Sequence, residues 1–66
     1  MCLSNVYLLK ANQEKELLCK NIATMTTRDN KLVFTNLMGI PTVVDGTLET
    51  VNLMDNYIYV RSRESR

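Results

Sequence analysis

The chain has 66 residues, with eight lysines and arginines against seven aspartates and glutamates and a formal net charge of +1. This near-balance excludes the strong positive field that would gather nucleic acid or hold the chain against an anionic membrane. A chain of this length forms one small domain and removes only about 60% of its unfolded surface from water. Hydrophobic residues make up 45% of the chain, so a folded domain is expected rather than a disordered one.

So small a domain usually needs a disulfide, a metal or a partner subunit for stability. Cys2 and Cys19 are the two cysteines and could form one bridge at most. There is no secretory signal, no apolar run of about 18 residues and no lipidation motif, so we expect a cytoplasmic protein with reduced thiols and no membrane association. Self-association through an apolar face would supply the missing support, and we predict a homodimer.

The first strand is predicted over residues 3–10, which are rich in strand formers. Val6 and Leu8 lie on one face of this strand, and Tyr7 and Leu9 lie on the other. Because both faces are apolar, the strand is expected to be central in its sheet or to lie in an interface.

The next segment fits two patterns. Leu18 and Ile22 also match a helical stripe, but three β-branched threonines follow within six residues and favour a pleated strand. We therefore predict a strand over residues 22–27. Residues 16–20 form a shorter strand or the other end of a bent one.

Turn signals divide the rest of the chain into further strands, which are predicted over residues 31–36, 42–44, 47–54 and 57–61. Asp45-Gly46 is the strongest of these turn signals. Leu32 and Phe34 share a face, and Ile58 and Val60 point to the core. Five or six short strands without a helix predict an all-β fold, a closed or nearly closed barrel, in a single domain over residues 1–66 with a frayed polar tail at 62–66.

Catalytic motifs are missing from the sequence. With no histidine, there is no ordinary imidazole base, no Cys-His pair and no zinc site of the Cys and His type. The two glycines are far apart, so no phosphate-binding or dinucleotide-binding loop is present. The carboxylates fall mainly in turns or on polar strand faces. We expect a protein that is not an enzyme.

Cys2 is the candidate metal ligand. Removal of Met1 would leave the Cys2 thiolate beside a free α-amine, and the main-chain nitrogen of Leu3 or Ser4 could complete a nitrogen-and-sulfur donor set that suits square-planar Ni(II) or Cu(II). If Met1 is retained, the thiolate and deprotonated amides are the available donors. The alternative is that Cys2 is a small buried hydrophobe at the start of a strand. The same interpretation is expected for Cys19, which has apolar neighbours in the sequence.

A second kind of site is suggested near the end of the chain. Tyr57 and Tyr59 could stack bases while Arg61, Arg63 and Arg66 meet phosphates. A solvated tail beside a tyrosine-bearing interface accounts for the same residues without RNA, and the balanced net charge favours that explanation.

Several features together resemble the CooT family of small cytoplasmic proteins, which is linked to nickel delivery for carbon monoxide dehydrogenase and is also labelled as predicted RNA-binding. The features are the Met-Cys-Leu start, the length, the strand over residues 22–27, and residues 48–60 with their Val-Asn-Leu and Tyr-Ile-Tyr-Val blocks. The resemblance implies a small SH3-like or Sm-like β-barrel of five to six antiparallel strands. It also implies a homodimer that holds Ni(II) through the Cys2 of both subunits and nearby main-chain donors, with a nickel enzyme or its maturation proteins as partners.

Overall fold

A computed structural model describes residues 3–62. These residues form six β-strands and no helix: β1 (Ser4–Leu9), β2 (Lys15–Arg28), β3 (Lys31–Asn36), β4 (Pro41–Val44), β5 (Gly46–Asn52) and β6 (Tyr57–Ser62). The predicted all-β class is therefore confirmed. Over the same residues, nothing in the fold is a helix long and apolar enough to cross a membrane.

The strands make one sheet in the order β4-β3-β2-β1-β6-β5. Four of its strand pairs are antiparallel, but β1 and β6 are parallel, with Tyr7 opposite Tyr59. The expectation of antiparallel strands is wrong for this central pair. Alternation of apolar and polar residues is the same in both kinds of pairing, so the sequence pattern carries no information about strand direction.

The second strand is one continuous bent strand, which is one of the two arrangements predicted for residues 16–27. Its pairing with β1 shifts register between Ser4 and Tyr7, and its pairing with β3 shifts between Ile22 and Thr24. Asn21 has a positive φ of 57° near the middle of the strand. Because an extra residue on one strand increases local twist and bend, these irregularities curl the sheet.

The curl brings the two edges of the sheet together at one end. β4 and β5 occupy opposite edges, yet Asp45 alone separates them in the sequence. Adjacent Cα atoms are about 3.8 Å apart, so the edges must meet here and the sheet forms a half-barrel. The Asp45-Gly46 signal marks the end of β4 correctly, but no hairpin follows, because Gly46 pairs with Ser62 of β6.

A small core fills the concave side of the half-barrel. Its buried hydrophobic residues are Val6, Ile22, Leu32, Phe34, Ile58 and Val60, of which Val6, Phe34 and Val60 are fully buried. The partly buried residues Leu8, Leu18, Cys19, Met25 and Val44 pack against them. The predicted core face of the last strand, with Ile58 and Val60, is thus confirmed, and the face that Leu32 and Phe34 share is also a core face.

Candidate functional site

Three segments meet at one end of the half-barrel, which we call the amino-terminal end: the start of β1, residues 37–40 and residues 53–56. Ser4 pairs with Ile22 at this end. The amide of Leu37 donates to the Asn21 carbonyl oxygen over 2.9 Å, and the amide of Asn5 donates to the Asn56 carbonyl oxygen over 3.1 Å. One turn is therefore bonded to β2, and the other is bonded to the start of β1 itself.

An apolar cavity of about 230 Å³ opens at the amino-terminal end. It lies between the middle of β2 and the end of β5, and its lining residues are Ser4, Ile22, Ala23, Thr24, Met25, Val51, Leu53 and Ile58. None of these side chains carries a charge. Cys2, the predicted metal ligand, comes two residues before Ser4 in the sequence and lies outside the described residues.

The side chains of residues 3–62 do not form a metal-binding cluster of their own. Within that range, no group of three or more histidine, cysteine, aspartate or glutamate residues is placed to hold a metal ion. The donors predicted from the sequence are the Cys2 thiolate, which lies outside this range, and nearby main-chain nitrogen, a donor set that suits Ni(II).

Cys19 lies on β2 opposite Val6. It is half-buried and packs against the core, and this burial raises the pKa of its thiol above the ordinary value. The predicted burial of Cys19 is confirmed in part, since some of the side chain remains accessible. A thiol that is harder to ionise is a poorer nucleophile and a poorer metal ligand.

Three tyrosines form a cluster on the outer face of the central strands. Tyr57 and Tyr59 are stacked, with ring centroids 4.6 Å apart and an interplanar angle of 27°. Tyr7 meets Tyr59 edge-to-face, with centroids 6.0 Å apart, and the Lys15 Nζ lies 5.2 Å from the centre of the Tyr59 ring. Neighbouring side chains therefore already cover much of the Tyr59 ring.

The predicted RNA-contacting residues lie partly together. Tyr57, Tyr59 and Arg61 share the outer face of β6, whereas Arg63 and Arg66 fall outside the described residues. The Arg61 Nε lies 3.4 Å from Glu49 Oε1, and the Tyr57 hydroxyl oxygen accepts a hydrogen bond from the Asn52 side-chain amide over 3.2 Å. Tyr7 was missed by sequence reasoning, because the parallel pairing that brings it to Tyr59 has no sequence signal. Lys15 was also missed, because it joins this face only through the pairing of β2 with β1.

A repeated tripeptide was also missed. Asn-Leu-Met occurs at residues 36–38 and again at residues 52–54, and both copies begin at the last residue of a strand. Met38 is 78% exposed and Met54 is 92% exposed. The repetition itself was the available signal, but only the fold shows that both copies lie at the amino-terminal end.

A curled six-stranded sheet over a small core, without a helix in residues 3–62, defines a small all-β barrel-like protein. The chain belongs to the CooT family, because the model of that family, described as CO dehydrogenase accessory protein CooT, matches residues 1–61. The fold is similar to a crystal structure of a protein provisionally identified as CooT from Carboxydothermus hydrogenoformans, with a TM-score of 0.86 and 16% sequence identity. That match covers 96% of this chain and all of the other. No curated protein matches the sequence.

Proposed function

We propose that this protein is a non-enzymatic Ni(II) carrier that supports the maturation of carbon monoxide dehydrogenase or another nickel enzyme. The observation that carries the proposal is the family match, which extends over residues 1–61 and includes Cys2. An accessory protein of a nickel enzyme has a direct use for a nickel-binding group, and a thiolate is a ligand type that binds this ion well.

Cys2 is the proposed ligand. Its thiolate would bind Ni(II) with nearby main-chain donors, and the Cys2 of a second subunit would contribute to the same site in a homodimer. Residues 3–62 hold the start of β1 in place, since Ser4 and Asn5 pair on both sides with other strands. A rigid attachment limits the conformational freedom that is lost when the ion binds.

A cytoplasmic location belongs to the same proposal. The thiolate must stay reduced to bind nickel, and the cytoplasm keeps cysteines in that state. The receiving enzyme or its maturation proteins would then be available as partners in the same compartment.

The test is a titration of reduced, Met1-processed protein with Ni(II) under anaerobic conditions. We expect thiolate-to-metal absorption to appear with the parent protein and to be lost in Cys2→Ser. Cys19→Ser is the matched control and is expected to bind like the parent, because the Cys19 thiol is half-buried and has a raised pKa. Tight binding by Cys2→Ser, with loss of binding in Cys19→Ser, would contradict the proposal.

The second candidate function is RNA binding through the outer face of β6. It is favoured by one observation, the gathering of Tyr57, Tyr59 and Lys15 on one exposed face. It predicts an affinity for single-stranded RNA that falls steeply with salt and with loss of Arg61 or Arg63. Binding that does not change with salt, or that survives Tyr57→Ala, would count against it. RNA binding is the weaker candidate, because Arg61 is already paired with Glu49 instead of being free to meet a phosphate.

A further inference from the structure

A second cavity, larger than the one at the amino-terminal end, lies at the other end of the half-barrel. Its volume is about 530 Å³, and it is bounded by the turn between β2 and β3 and by the first residues of β5. β5 begins here at Gly46, which pairs with Ser62, and runs to Asn52 at the amino-terminal end. The cavity therefore lies a full strand length away from the start of β1.

Two cations line this cavity without an ionic partner. Arg28 and Lys31 pair across the turn, both are exposed, and within residues 3–62 neither forms an ion pair. Asp29 and Asn30 between them have φ values of 53° and 65°, the left-handed conformation of a tight two-residue hairpin. The turn therefore keeps the two cations close together. Of the lining residues, Asp29 alone has a carboxylate, so the lining carries a net positive charge.

The same cavity adjoins two strand edges that, in the described part of the chain, have no strand beside them. β5 is the last strand of the sheet and pairs with β6 alone. The pairing of β2 with β1 ends at Ile22, so residues 23–28 of β2 pair only with β3. Both β5 and this part of β2 contribute to the cavity wall. Main-chain groups along an open edge are available to a further strand.

Part of the cavity wall is apolar. Leu48 lies opposite Val60, which is fully buried. Directly opposite residues share a face of the sheet, so Leu48 points to the concave side, yet it is 43% exposed. An apolar side chain of a ligand could cover it. No aromatic side chain lines the cavity, so its wall lacks the stacking surface on which single-stranded RNA is commonly bound.

We propose that this cavity binds an extended acidic segment of a partner protein. The segment pairs as a strand with the open edge of β5, places an apolar side chain over Leu48 and directs carboxylates to Arg28 and Lys31. Side chains of a strand alternate between its two faces, so one short segment can make all of these contacts. A peptide is favoured over a phosphate ion because a strand edge binds main-chain groups. The proposal goes beyond the nickel-carrier function and does not depend on it.

The test is fluorescence anisotropy of the metal-free protein with a labelled peptide that has three glutamates at each end of a Thr-Val-Thr-Val-Thr segment. Glutamates at both ends allow either strand direction. We expect saturable binding to the parent and at least about 10-fold weaker binding to Arg28→Glu/Lys31→Glu, because like charges then oppose each other. Lys15→Glu/Lys20→Glu is the matched control, with the same change in net charge at exposed residues of β2 outside the cavity lining. It should bind within about threefold of the parent, since salt screens distant charges.

Modified peptides test the same contacts without changing the protein. Two peptides carry N-methyl groups on the central segment, one on its threonines and the other on its valines. Successive amides of a strand point to opposite edges, so we expect one of these peptides to lose binding and the other to keep it. A peptide with glutamine in place of glutamate should bind at least about 10-fold more weakly than the acidic peptide.

Several results would overturn the proposal. These are a parent that does not bind the acidic peptide, equal binding by the two double variants, equal binding of the acidic and glutamine peptides, and N-methylated peptides that both bind or both fail. Displacement of the peptide by inorganic phosphate at the same concentration would also overturn it. A uridine oligonucleotide that binds the parent but not Arg28→Glu/Lys31→Glu would assign the cavity to RNA instead. Circular dichroism shows whether each variant is folded, and the peptide series decides the matter if a variant is not.

Discussion

Gly46 on β5 lies directly against the main chain of β6, because a Cβ at position 46 would be 2.5 Å from the Arg61 carbonyl oxygen. The residue pairs with Ser62 at the beginning of β5. This close approach lets β5 start one residue after Asp45, where the two edges of the sheet meet. Glycine is needed here for space, since its φ is not in the left-handed region.

Replacing Gly46 with alanine is expected to lower the free energy of unfolding by about 1–3 kcal/mol, because the methyl group displaces main-chain atoms that cannot rotate away. The measurement is urea denaturation followed by circular dichroism. Gly39→Ala provides the comparison: Gly39 has open space around it and a φ of 83°, so its cost of about 1 kcal/mol would come from backbone conformation alone. If Gly46→Ala unfolds at the same urea concentration as the parent, a Cβ at position 46 does not clash with the main chain of β6.

Phe34 is the largest fully buried side chain in the core. Phe34→Ala is expected to cost about 3–5 kcal/mol, while a chain of 66 residues has a total stability of about 3–10 kcal/mol. A large unfolded fraction in water should therefore be visible by circular dichroism. Val43→Ala, on an exposed side chain of β4, should change stability by no more than about 0.5 kcal/mol. Equal effects of the two substitutions would show that the core is elsewhere.

Asn36 connects the end of β3 to its turn through its side-chain oxygen. Asn36→Ala removes the acceptor for two amides and is expected to lower the free energy of unfolding by about 1–2 kcal/mol. Asn36→Asp keeps a carboxylate oxygen in the same position and should remain close to the parent at neutral pH. Urea denaturation of both variants separates loss of the acceptor from loss of the amide group. If Asn36→Asp lowers the free energy of unfolding as much as Asn36→Ala does, the two hydrogen bonds are not the source of the stabilisation.

Cys19 has a thiol pKa that burial raises above its ordinary value. In a Cys2→Ser background, its alkylation by iodoacetamide should increase with pH along a curve displaced to higher pH than that of a free thiol, because the thiolate is the reacting form. The unfolded chain ionises first as pH rises, so the contribution of Cys19 to stability is complete below the ordinary thiol pKa. It is lost as pH rises through the raised value. An alkylation curve that matches free cysteine would contradict this assignment.

The pattern of apolar, polar and turn residues along the chain is sufficient to predict most of the strands and turns. Alternation of apolar and polar residues predicts that Ile58 and Val60 face the core and that Leu32 and Phe34 share a face, and all four side chains are buried. The left-handed residues Asp29 and Asn30 form the turn expected between the second and third strands. Met38 and Met54 show the limit of such patterns: their hydrophobicity predicts that they fill gaps in the core, but both are highly exposed. Hydrophobicity alone does not distinguish a core residue from an exposed one.

The sequence by itself determined the all-β class, the positions of the strands, which residues share a strand face and the candidate thiol at Cys2, because each of these depends on residues that are neighbours along the chain. Only the tertiary structure decided that β1 and β6 run parallel, that Gly46 starts an edge strand instead of a hairpin, and that the two Asn-Leu-Met turns lie at one end. These arrangements join residues far apart in the sequence. They follow from how the sheet curls over its core, which residue periodicity does not specify.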